Sequence, residues 1–219
     1  MKPTSSNKER FKKFVIDEDH PCIMSQSVIG ADNFHLHTYT DFGSEAAAKK
    51  IVADLEVYLK EIDFTSKEFF SFIAVFEDDT VYSEIEFEEQ LWKQLQHIHE
   101  VDDKSWDSTV SSDPTDKAFS FSIQGNAFYV VGLHPNSGRN ARKSPKPTMV
   151  FNLHAQFEKL REMGVYDRVR NTIRKRDRKK NGSVNPMLID FGKRSEAPQY
   201  SGRTVDNTWE CPFKHKADK

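Results

Sequence analysis

Two histidines on either side of a basic loop are the residues of this chain best suited to bind a ligand. His134 follows an apolar stretch and precedes Pro135, which ends a β-ladder, and His154 opens a segment with helical periodicity. The loop between them carries four cations: Arg139, Arg142, Lys143 and Lys146. Imidazole binds metals and guanidinium pairs with carboxylates and phosphates, so these residues could line one cavity for an anionic ligand. The alternative is a lone histidine before proline, followed by a solvated basic turn.

A second histidine pair lies near the N-terminus. His35 and His37 are two residues apart in an alternating segment, so both rings face the same side of a strand, as metal ligands could. His97 and His99 have the same spacing in a helical segment, which points their rings apart. Because no spaced third ligand accompanies His35 and His37, two half-exposed strand histidines are the simpler interpretation.

Residues 168–180 (RVRNTIRKRDRKK) form the strongest charge feature, with eight Lys or Arg and one Asp. Such a run is compatible with a nucleic-acid surface or with a solvated helix face. The chain has no zinc knuckle, RRM-like aromatic motif or helix-turn-helix to position bases. Charge alone gives only salt-dependent, unspecific attraction, so we expect a solvated face and no nucleic-acid partner.

Several function classes are excluded by missing motifs. The chain has no G-x-S-x-G, no G-x-G-x-x-G and no phosphate-binding P-loop motif, so neither a serine hydrolase nor a nucleotide-binding fold is supported. No stretch reaches the roughly 18 to 20 apolar residues of a membrane span, and the N-terminus lacks a secretory signal. Two cysteines, Cys22 and Cys211, cannot form a disulfide scaffold, so we expect a cytoplasmic protein that does not contact a membrane.

The composition is that of one folded domain. The 219 residues are 37% hydrophobic and 30% charged, with a net charge of −2. Residues 1–134 carry 12 Lys or Arg against 25 Asp or Glu, a balance of −13, and residues 135–219 carry 20 against 9, a balance of +11. No Gly/Pro/Ser linker separates the two halves, so one domain with an acidic and a basic face is favoured over two domains.

The hydrophobic pattern predicts a single α+β domain with a largely antiparallel sheet of four to five strands, about three helices and an ordered irregular C-terminal wrap. The predicted strands are 34–40, 69–76, 118–123, 127–131 and 148–151. The predicted helices are 45–61, 85–99 and 154–180, the last with a possible break at Gly164. We divide the chain into a polar N-terminal arm (1–19), the domain (20–213) and a polar tail (214–219).

Five short segments in collinear order resemble the YqcI/YcgG family. They are His20–Ile23, Gly132–Arg139, Pro147–Glu158, Asn185–Gly192 and Cys211–Phe213. Each segment alone is weak, and the five together are specific. Characterised relatives in this family include heme-dependent N-hydroxylases of guanidino groups, such as those of guanitoxin and D-cycloserine biosynthesis. The resemblance implies a heme-dependent oxygenase that N-hydroxylates a guanidino or amino group of a small arginine-like metabolite, using dioxygen and an unidentified reductase as external electron donor.

The resemblance also implies roles for particular residues. No Cys-x-x-Cys-His motif is present, so the heme b would be bound non-covalently. We expect His134 as the iron ligand and His154 in the pocket, with Cys22 and Cys211 as alternative ligands. Heme propionates pair with cations, and Arg139, Arg142 and Lys143 are the candidates. A guanidinium substrate pairs best with a carboxylate, and Asp190 and Glu196 are the candidates for this role. The alternative is that these two acids stabilise the C-terminal coil through hydrogen bonds with backbone amides. A non-catalytic heme- or anion-binding protein is the alternative function.

Overall fold

The computed structural model describes residues 5–66, 68–77 and 80–216. These residues form five strands, β1 (Phe34–Tyr39), β2 (Ser71–Phe76), β3 (Phe121–Ile123), β4 (Asn126–Leu133) and β5 (Thr148–Leu153). They also form six α-helices, α1 (Asn7–Lys12), α2 (Ile23–Gly30), α3 (Glu45–Glu61), α4 (Glu84–Val101), α5 (His154–Glu162) and α6 (Tyr166–Asn181). The predicted α+β class is confirmed, although the helix count is higher than expected.

One five-stranded sheet runs through the molecule in the order β1-β2-β5-β4-β3. β1 and β2 are parallel, with Phe34 opposite Ser71, and α3 makes the crossover between them. The other three neighbouring pairs are antiparallel, which confirms the predicted sheet type. β4 comes from the acidic half of the chain and β5 from the basic half, so the two halves share one sheet.

Helices α3 and α4 cover one face of the sheet and build the larger core. Both begin at serine caps, since Ser44 accepts from the Ala47 N–H and Ser83 forms a capping box with Glu86. Their apolar positions pack against every second residue of the strands. The largest side chains of this core are Tyr58, Phe72, Phe76, Phe87, Trp92 and Phe151.

The second face of the sheet is covered by α1, α2 and a smaller apolar cluster. A π-helical turn, Lys13–Asp17, continues α1 and buries Phe14 and Val15 against the sheet. Part of the predicted polar arm is therefore helical, and residues 1–4 of that arm lie outside the described residues. The predicted helix 154–180 is broken at Gly164, whose φ of +67° ends α5 before α6 begins.

The chain after α6 is irregular but tightly held, as predicted for a C-terminal wrap. It contains one 3₁₀ turn, Ala197–Gln199, and the next residue, Tyr200, accepts the N–H of Gly132 in β4 at 2.7 Å. Buried Glu88 on α4 accepts hydrogen bonds from Ser201 and Trp209. Residues 217–219 of the predicted tail lie outside the described residues. No helix in the described part of the chain has the length and apolar composition required to span a bilayer.

Candidate functional site

A cavity of about 310 Å³ lies on the second face of the sheet, which is within the size range of small-molecule and cofactor sites. Its floor is formed by side chains of β2, β4 and β5. Its walls are formed by α2, α5, α6 and the C-terminal wrap that follows α6. Most lining atoms are apolar. The charged side chains that line it are five arginines and three acids: Arg139, Arg142, Arg161, Arg170, Arg174, Asp177, Asp190 and Glu196.

Strand alternation decides which of the two predicted histidines reaches the cavity. Tyr129, Val131 and Leu133 of β4 face the cavity, so His134 faces the opposite side, towards α4. There its ring stacks on Phe87 with centroids 4.4 Å apart, and its buried Nδ1 has no hydrogen-bond partner among the described residues. Burial lowers the pKa of His134. The structure therefore separates His134 from two other candidate ligands, His154 and Cys22, which line the cavity.

His154 does line the cavity, at the start of α5. Its ring packs edge-on against Phe191, with centroids 4.4 Å apart, and its Nε2 lies 3.1 Å from Oε1 of Glu158. Glu158 in turn pairs with Arg161, whose guanidinium lies over the ring of Tyr166. Burial lowers the pKa of His154, so the imidazole is neutral at pH 7. A neutral imidazole backed by a carboxylate is the arrangement that metal-binding histidines use.

Glu196 is the most deeply buried acid at the cavity. It is 3% exposed, and its Oε1 accepts hydrogen bonds from Ser120 at 2.9 Å and Tyr200 at 2.5 Å. Glu196 also lines the cavity. Burial raises the pKa of Glu196 to about 8, so at neutral pH the carboxyl is largely protonated. Glu196 can therefore hold a proton or meet a cation inside the cavity.

Asp190, the other acid predicted to bind the substrate, already forms ion pairs with side chains of this protein. It accepts from Arg170 at 2.7 Å and from Arg174 at 2.9 Å, both on α6. These two ion pairs hold the C-terminal wrap against α6 and neutralise the charge of Asp190. Asp190 lines the cavity, but its carboxylate binds guanidinium groups of this chain.

The two arginines predicted to bind propionates, Arg139 and Arg142, also differ in whether an acid of this protein pairs with them. Arg139 donates to Asp177 at 2.8 Å and to the carbonyl of Ser183 at 2.7 Å. Arg142 is 7% exposed and donates to the backbone carbonyls of Gly132, Gln199 and Tyr200, with the hydroxyl of Tyr129 as a further neutral partner. Its charge is thus not balanced by an ion pair, and burial lowers its pKa.

Of the two cysteines, only Cys22 lines the cavity. It caps α2, with its Sγ accepting from the Ser25 N–H, and burial raises the pKa of its thiol. Cys211 packs against the core on the α4 side, and burial raises its pKa to about 12. His20 also lines the cavity, but Ala141 and the Cys22 N–H engage its two ring nitrogens and its pKa falls to about 4 because of burial.

The histidine pair on β1 does not form a metal site. His35 lies 3.4 Å from Glu61 and His37 lies 3.4 Å from Asp54, so each ring faces a different carboxylate. Across residues 5–66, 68–77 and 80–216, no three His, Cys, Asp or Glu side chains are arranged to hold a metal ion. The interpretation as ordinary strand histidines is favoured.

Three cavity residues were not expected from the sequence. Tyr129 donates to the side chain of Gln199 at 3.0 Å, and both line the cavity together with Arg161. Sequence patterns could have identified two of them, Tyr129 and Arg161, whereas Gln199 lies in an irregular segment without a pattern. Tyr129 alternates with Val131 and Leu133, and Arg161 follows His154 at a spacing of seven, which places both on one helix face.

The family model described as the YqcI/YcgG family matches residues 11–214, which is nearly the whole chain. The match includes every residue discussed for the cavity. Comparison with curated proteins and with solved structures gives no match.

Proposed function

The chain belongs to the YqcI/YcgG family, and from that premise we propose that it is a heme-dependent oxygenase that N-hydroxylates a guanidino or amino group of a small arginine-like metabolite. The observation that carries the proposal is one apolar cavity lined by a neutral imidazole, His154, and by a buried acid, Glu196. We place the reaction in the reducing cytoplasm, where the free thiols of Cys22 and Cys211 would persist.

The chemistry of the cavity fits a heme. A porphyrin needs apolar walls, an axial nitrogen or sulfur and cations for its propionates. The apolar lining includes Val131 and Val150 on the floor and Ile173 on a wall. His154 and Cys22 offer the axial atoms, and the arginines of the cavity supply the cations. Arg142 suits a propionate better than Arg139, because Arg139 is engaged by Asp177.

His154 is the preferred iron ligand. Its neutral ring meets iron without first losing a proton, whereas the thiol of Cys22 has a raised pKa. Glu158 lies 3.1 Å from Nε2 of His154, which leaves Nδ1 as the ring nitrogen that would meet iron. His134 and Cys211, the other predicted ligands, face the opposite side of the sheet and keep a structural role in this proposal.

Glu196 is the acid that would face the substrate. Asp190 is bound to Arg170 and Arg174, so the carboxyl of Glu196 is the better one to receive an incoming guanidinium. Binding of that cation would ionise Glu196 and release its proton, because an adjacent positive charge favours the carboxylate. Ser120 and Tyr200 fix the orientation of Glu196 through hydrogen bonds to Oε1.

When bound, heme would supply the activation of dioxygen, with one oxygen atom entering the N–H bond and the other leaving as water at the expense of two external electrons and two protons. The protein's own part is to hold the reacting nitrogen and to exclude water. The apolar floor of the cavity serves the second task. Glu196, released from its proton when the substrate binds, holds the guanidinium in place.

The test is turnover by the full chain supplied with hemin, a reductant, dioxygen and L-arginine, with the product followed by mass as substrate plus one oxygen atom. Glu196→Gln should lower kcat/KM about tenfold or more, since a charge-assisted pair is lost.

Asp190→Asn should change kcat/KM by less than about threefold and should lower the free energy of unfolding by about 1–2 kcal/mol, because its partners are internal arginines. Heme-loaded wild-type protein without product would identify the non-catalytic heme-binding alternative. Loss of turnover in Asp190→Asn alone would refute the assignment of Glu196.

A further inference from the structure

Arg142 buries a positive charge that the described protein does not neutralise. Its guanidinium is 7% exposed and lines the cavity. Its hydrogen bonds run from Nη1 to the carbonyls of Gly132 and Tyr200, at 2.9 and 3.3 Å, and from Nη2 to the carbonyl of Gln199 at 3.1 Å. Carbonyl dipoles solvate a cation but leave its net charge in place. A buried charge without a counter-charge is costly, so a ligand of opposite charge would stabilise this end of the cavity.

In the described part of the chain, no unpaired acid accompanies Arg142. The acid that influences its pKa is Asp177, which is paired with Arg139 at 2.8 Å. His20, Cys22 and Tyr129 are its titratable neighbours in the cavity, and none of these side-chain types is ordinarily an anion at pH 7. The cation that influences the pKa of Glu196 is Arg161, which lowers it. Arg142 and Glu196 are two polar points of one apolar cavity.

We propose that Arg142 anchors a carboxylate-binding subsite, at the end of the cavity lined by His20 and Cys22. Guanidinium has five N–H donors; three are used by carbonyls and one by the hydroxyl of Tyr129, which leaves a donor for a ligand. One uncompensated cation balances one negative charge, so a monoanionic carboxylate is favoured over a phosphate, which carries more charge than this end can neutralise. Val131 and Leu133 line the cavity close to the carbonyl of Gly132, so the carboxylate should carry an apolar or extended body.

This subsite deepens the proposed function, on which its assignment to a propionate or to the substrate rests, and it is testable without heme, so that its failure is distinct from failure of the oxygenase proposal. Heme-free full-length protein is titrated with hexanoate and with the isosteric neutral hexanamide, by calorimetry. Hexanoate should bind at least about tenfold more tightly than hexanamide, since only the carboxylate forms charge-assisted hydrogen bonds. Arg142→Gln should abolish that preference, and Arg142→Lys should retain part of it. Arg178→Gln, the same change at an exposed position of α6, should leave the preference unchanged.

Equal affinity of wild-type protein for hexanoate and hexanamide would overturn the subsite, and so would an undiminished preference in Arg142→Gln. Should Arg142→Gln fail to fold, the wild-type comparison and Arg142→Lys decide the question. Two further titrations identify the source of the carboxylate. Competition of hexanoate with hemin, but not with hemin dimethyl ester, assigns the subsite to a propionate. Competition with arginine, but not with agmatine, which lacks the carboxylate, assigns it to the substrate.

Discussion

At the scale of single residues, the cavity is defined by which charged groups are already paired. Asp190, Asp177 and Arg139 have the residue types expected of ligand contacts, but each is bound to another side chain of this protein. Glu196 and Arg142 have the same types and are deeply buried without an ionic partner. Sequence alone gives the types. The pairing depends on contacts between distant segments, which is why Asp190 and Glu196 could not be told apart before the fold was known.

The raised pKa of Glu196 predicts a pH dependence of stability. The folded protein holds this proton up to about pH 8, whereas an unfolded glutamate loses it near its ordinary value of 4.5. Between these values the folded state binds more protons, so the free energy of unfolding should fall as pH rises, by up to about 1.4 kcal/mol per pH unit. Glu196→Gln removes this titration. Relative to wild type, the variant should therefore become progressively more stable from pH 5 to pH 8, as measured by urea unfolding.

Parallel pH profiles of the wild type and Glu196→Gln would contradict the burial of an unpaired acid. Glu86→Gln is a suitable control, since Glu86 is an exposed acid of the α4 capping box. Its pKa is lowered by the Ser83 N–H, so its titration acts in the opposite direction. The control should lose stability relative to wild type at neutral pH, and the difference should shrink as pH falls through 4.5.

At the scale of secondary structure, periodicity predicted much of the fold. Helix α3 has the predicted bounds 45–61, and strands β1, β2 and β5 agree within a few residues. Their apolar spacing is local information. Helix α2 was missed because its eight residues, Ile23–Gly30, have almost no amphipathic pattern of their own. The orientation of His134 was available from the alternation of β4, but the assignment of His134 as a ligand did not use it.

Gly132 in β4 predicts a sharp packing effect. A Cβ atom at this position would lie 2.5 Å from Cδ1 of Leu91 and 2.8 Å from the carbonyl oxygen of Tyr200. Because one of these neighbours is backbone, the clash cannot be relieved by a rotamer change. Gly132→Ala should therefore lower the free energy of unfolding by at least about 2 kcal/mol. The variant should also weaken the attachment of the C-terminal wrap to β4, which would be measured as faster proteolysis after residue 200.

The matched change is Gly30→Ala at the end of α2, where a Cβ would meet nothing within 4 Å. This variant should stay within about 1 kcal/mol of wild type, or gain stability, because alanine restricts the unfolded chain. A similar cost for both glycine variants would show that the close approach of β4 to α4 and the tail is not what Gly132 is needed for.

At the scale of the whole molecule, the acidic and basic halves of the sequence compensate each other. Arg176 on α6 pairs with Asp19 at 2.6 Å, and Lys180 donates to the carbonyl of Glu18. Within the basic half itself, Arg170 and Arg174 pair with Asp190. Much of the basic run 168–180 is thus used inside the molecule. The charge asymmetry was visible in the sequence, whereas its internal use requires the packing of α6 against the N-terminal segment and the tail.

This internal use predicts weak binding to polyanions. Arg168, Lys175, Arg178 and Lys179 remain exposed on α6, too few for the many phosphate contacts that strong binding needs. The protein should elute from heparin or double-stranded DNA below about 0.15 M salt. Retention at several times that concentration, lost in a variant with these four residues changed to glutamine, would favour a nucleic-acid surface instead.

The most direct test of the account is a hemin titration followed by absorption spectroscopy, with folding of each variant checked by circular dichroism. Wild-type protein should bind one hemin per chain with a Soret band distinct from that of free hemin. His154→Ala should lose or shift that band, while His134→Ala should keep it, because the ring of His134 stacks on Phe87 across the sheet from the cavity. Wild-type protein that leaves hemin unchanged, or a band lost in His134→Ala and kept in His154→Ala, would contradict a heme held in this cavity by His154.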